Sequence, residues 1–202
     1  MGHPAIIGAA LAVIVLIIVI YIAVKVRTEG PVLAPPHETA GIRGEIEAGK
    51  IIRSVLREDD GYFTNVSFTY DNSPAELDNV IVNKSGVFVI EVKNYSGRLY
   101  GAEDDFEWLK VRTSAAGNRF EKTVKNPIRQ VKRQAGLLHK YLDYYGVRVW
   151  VNGYALILDA AWEGKSDILL ESADDIGRAI HTPGKTRLNA KKTEAIIKLL
   201  SE

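Results

Sequence analysis

Two apolar runs, residues 77–83 (LDNVIVN) and 86–94 (GVFVIEVKN), stand only two residues apart. Each carries apolar, mostly β-branched or aromatic residues at successive positions, so neither has a polar face. Strands apolar on both faces belong in the middle of a sheet that is covered on both sides. The link between them, Asn83-Lys84-Ser85-Gly86, has turn composition. The chain therefore folds around a central hairpin, with packed material above and below it.

Charges are rare beside such runs unless something holds them there. Yet Asp78 opens the first run, and Glu91 and Lys93 close the second. If Asn83 to Gly86 forms a four-residue turn, Val82 faces Val87, Val80 faces Val89 and Asp78 faces Glu91. Lys93, two residues on, shares that side of the sheet. Two carboxylates and an ammonium then meet at one end of the hairpin. A three-residue turn with a bulge at Gly86 shifts the register by one and turns Asp78 away. Opposed carboxylates repel, and each raises the other's pKa. A divalent cation removes that repulsion and supplies chemistry toward phosphate. Lys93 could orient or deprotonate an attacking water, or stabilise a charged transition state. Taken alone, Glu91 and Lys93 are an ordinary ion pair at a strand end; Asp78 opposite them is what points to a site.

The rest of the chain reads as a mixed α/β sandwich around that sheet. Ile42, Ile46, Ile51, Ile52, Val55 and Leu56 recur at helical spacing within residues 41–59. Residues 62–70 (YFTNVSFTY) are strand-like, and residues 106–113 (FEWLKVRT) form a peripheral strand. The clearest helix lies in residues 126–146, with Asn126 to cap it, Pro127 in its first turn and Gly146 to end it. Residues 147–159 are a buried strand, and residues 172–181 and 189–202 are terminal helices. Glu45 follows Gly44 on the first helix, and Gln130 lies near the start of the 126–146 helix.

There is no cysteine, so disulfides and thiolate zinc sites are excluded. The four histidines show no ligand spacing, and a metal must sit on oxygen, which suits Mg2+, Mn2+ or Ca2+. Charge is unevenly spread. Residues 38–107 hold fourteen acidic and seven basic residues, and residues 108–150 hold two acidic and ten basic. An acidic centre beside a basic segment fits a polyanionic substrate. Arg129 and Arg133 share a helix face, with Lys125 at its entry and Lys132 turned away. Tyr95 and Trp108 could stack on bases, but read first as core aromatics.

Residues 4–24 are uninterrupted apolar sequence. That length matches a bilayer core of roughly 30 Å. Lys25 and Arg27 follow it and no Lys or Arg precedes it, which predicts a single-pass transmembrane helix with the C-terminal side in the cytoplasm. Residues 25–40, with three prolines and Gly30, read as a linker, and residues 41–202 as the folded domain.

Taken together and in order, GIRGE (41–45), ELDNVIV (76–82), GVFVIEVKN (86–94), Gly97, Trp108 and NPIRQ (126–130) resemble the nuclease-related domain (NERD) family of the PD-(D/E)xK nuclease-like superfamily. The resemblance covers residues 41–159. It implies a restriction-endonuclease-like mixed sheet flanked by helices and a magnesium-dependent (or manganese-dependent) phosphodiesterase site. Asp78 and Glu91 would be metal ligands together with the Val92 carbonyl, and Lys93 the motif's lysine. Glu45 would approach the metal directly or through water, and Gln130 would be the accessory glutamine. The motif's proline is replaced by Leu77. The sequence is thus expected to encode a membrane-anchored nuclease acting on DNA or RNA, with Lys125, Arg129 and Arg133 on the phosphates. The competing readings are a catalytically silent nucleic-acid-binding module of the same fold, and a scaffolding membrane protein.

Overall fold

The structure, a computed structural model, describes residues 14–21, 36–182 and 187–201. The chain divides into two units, Met1–Thr39 and Ala40–Glu202. In the first, residues 14–21 are helical with exposed side chains. Most of the apolar run 4–24 lies outside the described residues, and among those described no helix is long and apolar enough to cross a membrane.

The second unit is built on one mixed sheet. Its strands are β1 (Gly61–Tyr70), β2 (Ser73–Asn83), β3 (Gly86–Tyr100), β4 (Glu107–Thr113), β5 (Arg119–Lys125), β6 (Val151–Trp162) and β7 (Leu169–Leu170). Its helices are α1 (Pro36–Val55), α2 (Pro127–Tyr144), α3 (Ala173–His181) and α4 (Ala190–Leu200). Helix α1 begins five residues before the position the sequence predicts, taking up Pro36 to Ala40 from the expected linker. Pro36 suits a first turn because its missing N–H is not needed there.

Strand β3 is the spine. One edge runs parallel to β6 from Val87 to Leu99, with a slip between Asn94 and Gly97. Its other edge is shared. The first part pairs antiparallel with β2, and the last three residues, Arg98 to Tyr100, pair antiparallel with β4. Gly97 (φ +97°) makes the turn of partner possible: a Cβ there would lie 2.2 Å from the Val111 carbonyl oxygen. Between the two pairings, residues 91–97 face neither β2 nor β4 in a ladder. β3 therefore has a fork in its edge at the place where its charged residues stand.

The hairpin has the four-residue turn. Val82 pairs with Val87, Val80 with Val89 and Asn83 with Gly86. Asn83 is buried and ties the turn together, its Oδ1 accepting from the Ser85 N–H at 2.8 Å and its Nδ2 donating to the Ile180 carbonyl at 3.1 Å. One face of the sheet packs Val80, Val82, Val87 and Val89 against Ile128, Val131, Leu138 and Leu142 of α2. The other packs Ile81, Phe88 and Ile90 against Ala48 and Ile52 of α1 and Ile176 and Ile180 of α3. The result is the layered mixed α/β sandwich that the sequence implies. Trp108 is fully buried and stacks on Trp162 with ring centroids 4.8 Å apart, which makes it the core aromatic expected.

Two strands are not foreseen from sequence. β5 (RFEKTVK) is largely exposed, and its polar alternation carries no core signal. β7 is only two residues long.

Gly44 sets how closely α1 approaches β3. A Cβ on it would lie 2.4 Å from the Asn94 Cβ, closer than any real contact, and Asn94 is next to Lys93. Gly44→Ala is therefore expected to push α1 off the sheet and lower stability by about 1–3 kcal/mol, the usual penalty for overpacking. Urea unfolding followed by circular dichroism checks this; an unchanged midpoint would show that the approach is not tight.

Candidate active site

Glu91 is 1% exposed, and its carboxylate is held from three sides. Lys93 Nζ and Gln130 Nε2 both donate to Oε1, the latter at 2.5 Å. Gln134 Nε2 donates to Oε2 at 2.7 Å and also to the Glu76 carbonyl at 2.9 Å. A buried carboxylate is tolerated only when paired and hydrogen-bonded in this way. Lys93 comes from the same strand two residues on, so both side chains leave one face of β3. Gln130 and Gln134 are one helical turn apart on α2, so both reach the same carboxylate.

Asp78 enters differently from the ladder pair the sequence predicts. The β2–β3 ladder ends at Asn79 and Ile90, one step short of Asp78 and Glu91. Instead the Asp78 side chain takes the place of a strand neighbour, Oδ2 accepting from the Val92 N–H at 2.8 Å. A break in alternation in the middle of β2, where its pairing with β3 ends, goes with this. Leu77 and Val80 both pack into the same core, although three residues apart, and opposite them Asn65 of β1 has φ +54°. The slip swings Asp78 into the fork, where it caps a β3 N–H that β2 no longer reaches.

The electrostatics follow from this crowding. Burial, reinforced by the charge of Glu91, pushes the Asp78 carboxyl up to about 6; the Val92 bond and Lys93 oppose the rise, and Glu45 adds to it. For Lys93, burial works against the charged form, but the Glu91 carboxylate outweighs it and the ammonium's pKa is raised above its ordinary value. Glu45 itself is exposed on α1 and acts on Asp78 through space.

The donor set, two carboxylates and a strand carbonyl at Val92, is the hard-oxygen kind that Mg2+ or Mn2+ accepts. A carboxylate has about four lone-pair sites; three of Glu91's already receive protein donors and one of Asp78's does. Lone pairs are left on both carboxylates, and a cation there would offset the burial and the Glu91 charge that raise the Asp78 pKa. Among the described residues no three His, Asp or Glu side chains stand close enough to hold a metal by themselves. Carbonyl and water ligands would have to complete a shell.

Beside the corner lies a cleft of about 720 Å3, lined among others by Lys125, Arg129, Gln130, Arg133 and Gln134. The three cations singled out in the sequence thus line one cavity with the two glutamines that hold Glu91. Lys132 turns the other way and pairs with Glu103 at 2.7 Å. Asn126 does cap α2, its Oδ1 accepting from the N–H groups of Ile128 and Arg129. It also does what the sequence does not disclose: Nδ2 donates to the carbonyls of Glu103 and Asp105, fastening the β3–β4 loop to the helix. Gln134 is the other residue missed from sequence. Its four-residue spacing from Gln130 was the available signal.

The family model of the nuclease-related domain matches residues 40–158. An uncharacterized protein of Bacillus anthracis is 32% identical over 66 residues, covering 30% of this chain and 31% of that protein. The chain thus matches only about a third of that relative's length. No solved structure matches.

The raised Asp78 pKa has a testable sign. Between the unfolded-chain value of 3.8 and about 6, the folded chain binds more protons at this site than the unfolded one. Stability from this group therefore falls as pH rises through that window. Asp78→Asn keeps an acceptor for the Val92 N–H and removes the charge. In EDTA it is expected to abolish that part of the fall and to be the more stable chain above about pH 6, within the few kcal/mol that such shifts represent. Urea midpoints of both chains from pH 4 to pH 7 decide it. Parallel curves would mean that Asp78 is not strained.

Proposed function

Because the chain belongs to the nuclease-related domain family, we propose that it hydrolyses the phosphodiester backbone of DNA or RNA with a divalent metal, at the corner formed by Asp78, Glu91 and Lys93. The observation that carries this reading is the meeting of those three side chains with Gln130 next to a basic cleft. Neither a fold nor a core requires two carboxylates so placed that one is strained by the other.

In this reading Asp78, Glu91 and the Val92 carbonyl hold Mg2+ or Mn2+, with Glu45 approaching from α1. The cation, when bound, acts as a Lewis acid on the phosphate and offsets charge developing there. The chain's own groups do the rest. Lys93 stays an ammonium at neutral pH, since Glu91 holds its pKa up. Of the roles open to it from sequence, stabilising the charged transition state fits best, because a protonated amine cannot take a proton from water. Gln130 and Gln134 keep the Glu91 carboxylate in one orientation. Lys125, Arg129 and Arg133 bind phosphates along the cleft, without regard to sequence and in a salt-dependent way.

One observation favours the alternative, a binding module without turnover. Glu91 is satisfied by three protein donors, so the corner holds together with no cation. A single experiment separates the readings. The full chain is incubated with single- and double-stranded DNA and RNA, with EDTA, Mg2+ or Mn2+, beside Asp78→Asn and Lys93→Gln chains shown to be folded by circular dichroism. Metal-dependent cleavage that falls at least about a hundredfold in both variants is expected, in the range of losses for removing a transition-state contact. Nucleic-acid binding in EDTA with no cleavage under any metal would establish the silent module.

We further propose that residues 4–24 tether this domain to a membrane, with the domain in the cytoplasm. The apolar run and the flanking Lys25 and Arg27 support it. Deleting residues 4–24 is expected to move the protein from the membrane fraction to the supernatant after alkaline carbonate washing. Retention of the deleted chain in the pellet would refute the tether.

A further inference from the structure

Phe106 is 78% exposed, more than any other large apolar side chain among the described residues. Such exposure on a floppy loop would mean little, but this loop is fastened down. Asn126 donates through its backbone N–H to the Phe106 carbonyl at 3.2 Å and through Nδ2 to the carbonyls of Glu103 and Asp105. Arg129 Nη1 donates to the Asp104 carbonyl at 3.0 Å, and Trp108 Nε1 to the Ala102 carbonyl at 2.8 Å. The loop therefore holds Phe106 at a fixed place on the lip of the basic cleft. The Arg129 guanidinium lies on the ring, 3.9 Å from its centroid, and is itself pinned by the Asp104 bond. An exposed ring kept rigid, with a cation already on it, is a stacking platform whose ordering cost is met before any ligand arrives.

The charges around it say what stacks there. Glu103 is neutralised by Lys132, and the Asp105 carboxylate is engaged by the Ala102 N–H at 2.6 Å. Glu76 and Glu107 line the cleft as well, Glu107 next to Phe106 in the chain. A phosphate passing at Glu107 would be repelled, whereas Lys125, Arg129 and Arg133 line the same cavity and attract one. Backbone on the cations and a flat neutral group on the ring is the arrangement of a nucleotide with its base turned to Phe106. Inside a duplex the base faces are already stacked on each other, so an unpaired base can use the platform and an internal base pair cannot.

We infer that Phe106, backed by Arg129, is a base-stacking platform that selects single-stranded or unpaired nucleic acid for the cleft. The inference rests on the proposed function and names the substrate class of that site. Phe106 lines the cleft, whose lining does not include Glu91 or Asp78, so its role is specificity and positioning.

The test is binding in EDTA by the full chain, followed by fluorescence anisotropy of a labelled short single strand, the same strand made without bases, and a duplex of the same sequence extended so that its two ends are a small share of its length. Phe106→Ala is expected to weaken the single strand about 5- to 150-fold, the worth of one aromatic stack, and to leave the duplex unchanged. The base-free strand should bind the unaltered chain less tightly by a similar factor and lose nothing more with Phe106→Ala. Phe106→Trp should restore single-strand affinity. Equal affinity of Phe106→Ala and the unaltered chain for the single strand, or the same loss on strand and duplex, overturns the platform while leaving the nuclease reading intact. If the unaltered chain binds neither strand nor duplex, both fall together.

Discussion

A buried carboxylate needs partners, and most of what surrounds the site exists to supply them to Glu91. Its three donors come from its own strand and from one face of α2. Those bonds require α2 to cross β3 at a fixed height, which the packing of Ile128 and Val131 on Val87 and Val89 provides. Breaking such a pair from one side typically costs several kcal/mol, because a charge is left in a dry place. Position and charge are thus locked together: the helix cannot slide without exposing the acid, and the acid cannot turn without losing the helix.

The fork in β3 is the second constraint. A regular antiparallel sheet would have carried β2 alongside β3 past Glu91 and filled the edge with backbone. Here β2 leaves after Asn79, β4 joins at Arg98, and the gap is occupied by side chains. Asp78 covers one exposed N–H with its own carboxylate and in doing so takes on a charge penalty. Gly44 and Gly97 mark the borders of the gap, one letting α1 come close and the other letting β4 cross.

Much of this was legible in the sequence because it depends on local chemistry. The apolar hairpin, its four-residue turn, the register of Val80 and Val82, the Asn126 cap and the shared face of Arg129 and Arg133 all follow from residue type and period. What was not legible depends on where strands stop. Nothing in LDNVIVN announces that alternation slips between Leu77 and Val80, so period alone gives Asp78 a ladder partner where it has a backbone one. β5 was missed because an exposed edge strand of charged residues has no apolar alternation to detect. Gln134 carries no signal of its own because a helix glutamine is ordinarily a surface residue, and its burial is decided by Glu91, 43 positions away in the chain.

Asn126 has a consequence beyond capping. One amide side chain holds the turn of α2 with its oxygen and the β3–β4 loop with its nitrogen. Loop and helix thereby share one hydrogen-bonded joint at Asn126. The ring of Phe106 and the two glutamines that steady Glu91 hang on the same piece of backbone, so losing that one amide would loosen both at once.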